Sequence, residues 1–332
     1  MADHVVAVMD VYAPAVREAI ARVVPPGFAL RFAASYDEAE QAALVAGADF
    51  LLPGWARVSA GMLDGAPRLR MVQKWGIGVD RIDVEALRAR GIPLAITGGA
   101  NASPVAEHAI MLMLAVFRRV AWVDPALRQG RWLKAEMRSL GLQLTGKTVG
   151  IVGFGAIGRQ VALKLRGFET RTLYYDLDRV DAASERAFAA EYRALDALLA
   201  ESDVVSLHAP YTPRTRNLID ARALGRMKPT AILVNTARGE LVDEAALHDA
   251  LVDGRLHGAG LDAFADEPPA RDNPLLSLDQ VVVTPHTGGA AYDNVERTAR
   301  HAFGNMQRFL AGEEIAAADV VVPVPKPADR AA

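Results

Sequence analysis

Residues 148–158 read TVGIVGFGAIG. A strand-forming run from Thr148 to Val152 leads into Gly153-Phe154-Gly155-Ala156-Ile157-Gly158, and the helix-forming RQVALKLRGF follows. Strand, glycine turn and helix come in the order that a dinucleotide site needs. Gly153 permits the tight turn. Gly155 lets the backbone approach a pyrophosphate that a Cβ would keep away, and Gly158 lets the helix pack closely on the strand. The first N–H groups and the positive dipole end of that helix then face phosphate.

A bare GxGxxG is a weak signal, so its surroundings decide. A second strand, TRTLYYD (170–176), ends at Asp176, eighteen residues past Gly158. A carboxylate there accepts hydrogen bonds from the adenosine ribose hydroxyls and repels a 2′-phosphate, so NAD is expected rather than NADP. Arg179 nearby is the feature that would favour NADP. The competing reading, an ordinary turn followed by a surface aspartate, does not explain why strand, glycines, helix and acid fall in register.

At 332 residues the chain has room for about two domains. Hydrophobic residues make up 51% and charged residues 23%, ordinary values for a globular enzyme. A net charge of −3 argues against a general nucleic-acid-binding surface. With no cysteine, disulfides, a thiolate nucleophile and cysteine metal ligands are excluded, and no metal site is expected. The N-terminus MADHVVAVMD lacks the pattern of a signal peptide. The most apolar stretch, AIMLMLAVF (109–117), is too short for a membrane span. A cytoplasmic location is expected.

The first hundred residues alternate strand-like pieces (HVVAVMD, ALRFA, DFLLP, RMVQKW, IPLAIT) with helices at 13–24 and 35–46, the second starting at Ser35. Such βαβ alternation predicts a parallel sheet covered on both faces. A long apolar helix is expected over 104–120, capped by Ser103 with Pro104 first. Alternation resumes through ALDALLAES, DVVSLHAP, AILVNTA, HGAGLDAF and VVVTPH, and a last helix is expected near 290–311. The tail from Ala316 is expected to be irregular. These patterns divide the chain into a substrate domain of 1–102 plus 289–332 and a dinucleotide domain of 103–288, with the site in the cleft between them.

Three charged residues follow strands of the second domain: Arg238 after AILVNTA, Glu267 after GLDAFAD and His286 after VVVTP. Strand ends on one edge of a parallel sheet converge, so the three can meet. A histidine can exchange a hydroxyl proton near neutral pH, a carboxylate beside it fixes the ring, and an arginine fork suits a carboxylate. Each alone reads as a surface or turn residue, and only the ordered set raises the functional reading. His4, His108, His248, His257 and His301 are left as structural or solvent-facing.

The sequence resembles the D-isomer-specific 2-hydroxy acid dehydrogenases. The family includes phosphoglycerate, glycerate and D-lactate dehydrogenases and glyoxylate and hydroxypyruvate reductases. Seven ordered segments carry the resemblance: KWGIGVDRID (74–83), ANASPVAEH (100–108), GKTVGIVGFGAIG (146–158), SLHAPYTPRTRNLI (206–219), NTARGELVDEAAL (235–247), GAGLDAFADEP (258–268) and VVVTPHTGG (281–289). It implies two Rossmann-like doubly wound parallel-sheet domains, the substrate domain flavodoxin-like, and a homodimer joined through the cofactor domain and the 104–120 helix. Arg238 would bind the substrate carboxylate, His286 would be the general acid/base and Glu267 its partner. The backbone of Gly76, Ile77 and Gly78 would hold the same carboxylate. Phe154, Gly155, Ala156 and Ile157 would lie along the pyrophosphate and Asp176 on the ribose. His208, Ala209 and Pro210 would flank the adenine side. Thr236, Ala237 and Arg238 would approach the nicotinamide end beside His286, with Asp262 receiving the carboxamide and Gly288 and Gly289 closing behind the ring.

One departure narrows the substrate. Phosphoglycerate dehydrogenases place an arginine-serine pair where this chain reads Leu52-Pro53-Gly54-Trp55; Pro53 cannot bind a phosphate, although Arg57 is near, so an unphosphorylated 2-keto or 2-hydroxy acid is expected, glyoxylate or hydroxypyruvate first. Trp55 and Trp75 either line the substrate pocket or simply pack. Formate dehydrogenases carry glutamine where Glu267 stands. Two alternatives share the fold: a nucleotide-sensing scaffold like the transcriptional corepressors, and an oxidoreductase acting on phosphite.

Overall fold

The structure, a computed structural model, describes residues 4–324. The chain divides into two compact units. One comprises the described residues up to Asn101 and those from Ala291 onward, and the other is Ala102–Ala290.

The first unit begins β1 (His4–Val8), β2 (Phe28–Phe32), β3 (Phe50–Leu52), β4 (Met71–Gln73) and β5 (Leu94–Ala95). A last strand, Val320–Val322, closes the sheet in the order last strand–β5–β4–β3–β1–β2. β1 shows why both faces are covered. Val5, Ala7 and Met9 join Leu51 and Val72 in one apolar cluster, while Val6 and Val8 join Phe50 and Met71 in another. Successive side chains point to opposite faces, so a run apolar at every position from Val5 to Met9 needs helices on both sides. The second cluster is completed by Ala299, Ala302, Phe303 and Met306 of the Val295–Ala311 helix.

Four local expectations are corrected. The tail from Ala316 is not irregular over its described part: Val320–Val322 pairs antiparallel with β5, so this sheet is mixed rather than purely parallel. β-branched valines suit that edge, and the strand is tied down because Ile96 N donates to Asp319 O and Gly98 N to the Asp319 carboxylate. Residues 325–332 lie outside the described residues. The helix expected from Ser35 starts at Glu38, with Asp37 as cap, because Glu40 takes the Ala34 and Ser35 N–H groups and holds that segment as a turn. Ser103 is not a cap: the helix runs Ala102–Phe117 and the Ser103 hydroxyl bonds Glu107. Pro104 is tolerated there because first-turn N–H groups have no intrahelical partner. The last helix, expected near 290, begins at Val295 after a short 3₁₀ turn over Tyr292–Asn294.

The second unit carries β6 (Thr148–Val152), β7 (Arg171–Tyr175), β8 (Ala190–Tyr192), β9 (Val204–Leu207), β10 (Ile232–Asn235), β11 (Gly258–Leu261) and β12 (Val281–Val283). All pair in parallel, in the order β12–β11–β10–β9–β6–β7–β8. This is the doubly wound dinucleotide-binding order, with its topological switch between β6 and β9. The Ala102–Phe117 helix covers one face, burying Ala106, Ala109, Leu112, Met113 and Val116 with Val149, Ile151, Ile232 and Val234. Each fully buried aliphatic side chain contributes about 1.5–3 kcal/mol. Among the described residues no helix is long and apolar enough to cross a membrane.

Candidate active site

The glycine turn has the shape its sequence calls for. Gly153 adopts φ +96°, where a side chain is strained, and a Cβ on it would strike the Ala209 amide nitrogen at 2.5 Å. The β6 and β9 loops are therefore in contact at the switch point. A Cβ on Gly158 would meet Gly153 O at 2.2 Å, so the Ala156–Leu165 helix packs directly against the turn. Around Gly155 the opposite holds: no protein atom lies within 4 Å of where its Cβ would stand. That open ground before a helix N-terminus fits a pyrophosphate.

Asp176, just past β7, accepts the Phe154 N–H at 2.6 Å and the Leu177 N–H at 2.7 Å, which fixes its carboxylate beside the turn. Arg179 instead grips Glu185 through two hydrogen bonds, at 2.7 and 3.0 Å. Its pKa is raised by the Glu185 hydrogen bonds.

After β9, His208 lies within 2.8 Å of Ser206 Oγ and 3.5 Å of Thr236 Oγ1. Burial lowers its pKa to about 3, so the ring is neutral at physiological pH. Ala209 and Pro210 continue the loop past it. After β10, Asn235 accepts the Ala237 N–H and donates to Arg238 O, closing a small loop with Thr236 and Ala237 buried inside. Arg238 donates to Ala237 O. Gly239 next to it can bear no side chain, because its Cβ would overlap Phe264 C at 1.8 Å. The Arg238 loop is thus pressed against the start of the Glu267 loop.

His286 and Glu267 are brought together. His286 Nδ1 lies 2.9 and 3.0 Å from the two Glu267 oxygens, and Glu267 Oε1 also accepts the Phe264 N–H at 3.0 Å. The side chains are 32% and 15% exposed. His286 has φ +52°, the left-handed region that non-glycine residues seldom enter. Such strain persists only where the surroundings over-determine it. They do here, because His286 N donates to Asp262 O at 2.8 Å.

Asp262 is 2% exposed and serves the same turn with its side chain. It accepts Thr284 Oγ1 (2.6 Å), Thr287 N (2.8 Å) and Gly288 N (2.8 Å). Burial works to raise its pKa, but hydrogen bonds from His108, Thr284, Thr287 N and Gly288 N outweigh it and hold the pKa below the ordinary value. Most of the acceptor capacity expected to meet a carboxamide is therefore already committed to the turn. Gly288 is buried and Gly289 exposed. His108 is neither a plain packing residue nor solvent-facing: its Nε2 lies 2.9 Å from Thr284 Oγ1 and 3.3 Å from Asp262 Oδ1. Its place in ANASPVAEH was the only sequence signal for it.

In the first unit, Gly76, Ile77 and Gly78 follow β4. Gly76 has φ +102° and its N–H is taken by Thr97 Oγ1 at 2.7 Å, which leaves the Ile77 and Gly78 amides as candidate donors. Two buried charges organise the neighbouring Gly54–Ala56 turn. Asp10 accepts the N–H groups of Gly54, Trp55 and Ala56, and Lys74 donates to Gly54 O and Trp75 O. Arg81 stacks on the Trp55 ring at 3.7 Å, so Trp55 is held, not loosely packed.

Comparisons with known proteins agree with this geometry. Residues 110–288 match the family model described as D-isomer specific 2-hydroxyacid dehydrogenase, NAD binding domain. A glyoxylate reductase of Korarchaeum cryptofilum is 43% identical over 258 residues, 77% of each chain. A D-3-phosphoglycerate dehydrogenase of Mycobacterium tuberculosis is 40% identical over 314 residues, 94% of this chain but 58% of that longer protein. Among solved structures, an NAD-dependent formate dehydrogenase of Staphylococcus aureus in complex with NAD superposes with a TM-score of 0.83 at 27% identity, covering 97% of this chain and 100% of that one. An NAD-type glycine turn, a seven-stranded parallel sheet and a histidine–glutamate pair after its last strands thus coincide with a family match over the same residues, and the chain belongs to the D-isomer specific 2-hydroxyacid dehydrogenases, a family of NAD-dependent enzymes.

Proposed function

We propose that the protein reduces a small unphosphorylated 2-keto acid, glyoxylate or hydroxypyruvate first, to the D-2-hydroxy acid, using NADH in preference to NADPH. The observation that carries this reading is the His286–Glu267 pair at 2.9 Å on a strained turn. When bound, the reduced nicotinamide supplies the hydride that goes to the keto carbon. His286 gives the carbonyl oxygen its proton. Nδ1 is engaged by Glu267, which fixes the ring, so Nε2 carries the proton traffic. Arg238 is read as the residue that takes the substrate carboxylate through its planar fork, and the Ile77 and Gly78 amides of the first unit are read as carboxylate donors. In the oxidative direction the same histidine accepts the hydroxyl proton.

For the cofactor, Phe154 to Ile157 would hold the pyrophosphate and Asp176 the ribose, with Thr236, Ala237, Asp262, Gly288 and Gly289 at the nicotinamide end and His208, Ala209 and Pro210 on the adenine side. The preference for NADH rests on Asp176 facing the turn while Arg179 is occupied by Glu185. An unphosphorylated substrate is favoured because Leu52-Pro53-Gly54-Trp55 carries no cation of its own, while the adjacent Lys74 and Arg81 are engaged with Gly54 O, Trp75 O and the Trp55 ring.

The enzyme is further read as a cytoplasmic homodimer. The Ala102–Phe117 helix lines an apolar groove with Ile110, Met111 and Leu114, joined by Val120 and Phe168, and Met111 is 42% exposed. Light scattering should give twice the chain mass.

The decisive experiment is NADH and NADPH oxidation against a panel of 2-keto acids, with NADH formation from phosphite run beside it. NADH-dependent turnover of small unphosphorylated keto acids supports the reading. No turnover across the panel favours the scaffold, and turnover of phosphite alone favours that oxidoreductase.

A further inference from the structure

We propose that His108 is a positioning residue of the reaction, holding through Asp262 and Thr284 the turn that carries His286 and lines the nicotinamide end. The inference rests on the acid/base reading of His286 given above and extends it to a residue on a different element.

The bonding order fixes what His108 does. Thr284 has one hydroxyl hydrogen, and the 2.6 Å contact to Asp262 Oδ1 spends it. Thr284 Oγ1 must therefore accept from His108, 2.9 Å away, so His108 carries its proton on Nε2 and acts as donor. The same N–H leans toward Asp262 Oδ1 at 3.3 Å. Asp262 in turn collects the Thr287 and Gly288 N–H groups, and its own carbonyl takes that of His286. Three consecutive contacts, His108 to Thr284, Thr284 to Asp262 and Asp262 O to His286 N, thus lead from the helix to the backbone of the proton-transferring residue.

Packing supports the same assignment. A Cβ on Gly288 would stand 2.9 Å from Asp262 Oδ2 and 3.8 Å from His108 Cδ2, so the imidazole forms part of the wall against which the turn closes. His108 is 15% exposed and lies on a helix whose neighbouring Ala106, Ala109 and Ile110 are buried. A histidine placed there only to fill space would have no reason to face a hydroxyl and a carboxylate together. The strain at His286 gives the contact its consequence: a left-handed residue relaxes when its restraints loosen, and the ring moves with it.

The test compares His108→Leu, which keeps bulk and removes the donor, with His108→Gln, which restores an N–H. Amide hydrogen exchange on the protein without cofactor should rise about tenfold or more over 284–289 in the leucine variant, while peptides from β6 to β9 stay as in wild type. NADH affinity, read by fluorescence, should weaken. The kcat should fall about tenfold to a hundredfold with the keto-acid KM nearly unchanged, since Arg238 is untouched. His108→Gln should recover most of each loss. Unchanged exchange at 284–289, exchange raised evenly over the whole unit, or a glutamine variant no better than leucine would each overturn the proposal. His286→Asn run in parallel separates the two claims. If that variant keeps turnover, the acid/base reading fails, while the exchange data still judge the contact. If it is inactive and His108→Leu behaves as wild type, only the positioning role fails.

Discussion

Asp10 in the first unit and Asp262 in the second are nearly the same device. Each sits just past a parallel strand, is almost fully buried, and accepts consecutive backbone N–H groups of a turn: Gly54, Trp55 and Ala56 for Asp10, Thr287 and Gly288 for Asp262. They differ in company. Around Asp10 stand phenols: burial first, then the Asp10 charge, pushes the Tyr12 hydroxyl well above its usual range and raises that of Tyr36. Around Asp262 stand His108 and Thr284, and the turn it holds bears a strained histidine. The Asp10 turn presents a tryptophan stacked on Arg81; the Asp262 turn presents an imidazole paired with Glu267. On the function proposed above, one way of immobilising a loop would serve selection in one place and chemistry in the other.

That division can be broken by experiment. The largest effect is expected for His286→Asn, which should lower kcat by about 10² or more while NADH still binds in a fluorescence titration. Near-normal turnover would leave the Asp262 turn with no chemical duty. Next, Asp176→Ala should weaken NADH about 10–100-fold by removing hydrogen bonds to a charged acceptor, and should raise relative use of NADPH. An unchanged cofactor ratio would take the ribose role from Asp176. Third, Asp10→Ala and Asp262→Ala should each cost about 1–3 kcal/mol in urea unfolding, because each orphans several buried donors. Only the second should also weaken NADH, whereas the first should alter the ranking of keto acids. Equal loss of NADH affinity in both would erase the distinction.

The smallest effect is read in pH. His208 has its folded pKa depressed to about 3, so the unfolded chain takes up that proton first. Its contribution to stability is complete above pH ~6.5 and is lost as pH falls from there toward 3. His208→Gln should flatten that part of the stability profile, and a slope equal to wild type would show that the buried ring does not cause it.

The sequence made the second unit legible because its signals are local. TVGIVGFGAIG sets strand, turn and helix by contiguous residues, and Arg238, Glu267 and His286 each follow a visible strand. The same holds for β1, whose unbroken apolar run demands two covered faces. What could not be read depends on distant partners. Val320–Val322 looks like loose tail until β5 offers it an edge, and Asp319 binds Gly98 N, 221 positions earlier, as well as His301 and Asn305 of the last helix. His108 sits in a helix whose periodicity says only that it packs; its polar task exists because Thr284 arrives 176 residues later. Asp10 is equally silent, since the N–H groups it collects come from the far side of β3.

The first unit is interrupted, and its interruption sets an order of events during synthesis. One face of β1, with Val6 and Val8, is covered by Phe303 and Met306. At ~5–20 residues per second the ribosome needs on the order of tens of seconds between making β3 and making that helix. Throughout that interval the nascent sheet exposes an oily surface, while the inserted unit, contiguous from Ala102 to Ala290, is free to fold as soon as it emerges. Refolding from denaturant has no such delay. Chaperone demand should therefore be greater for the chain being translated than for the finished polypeptide.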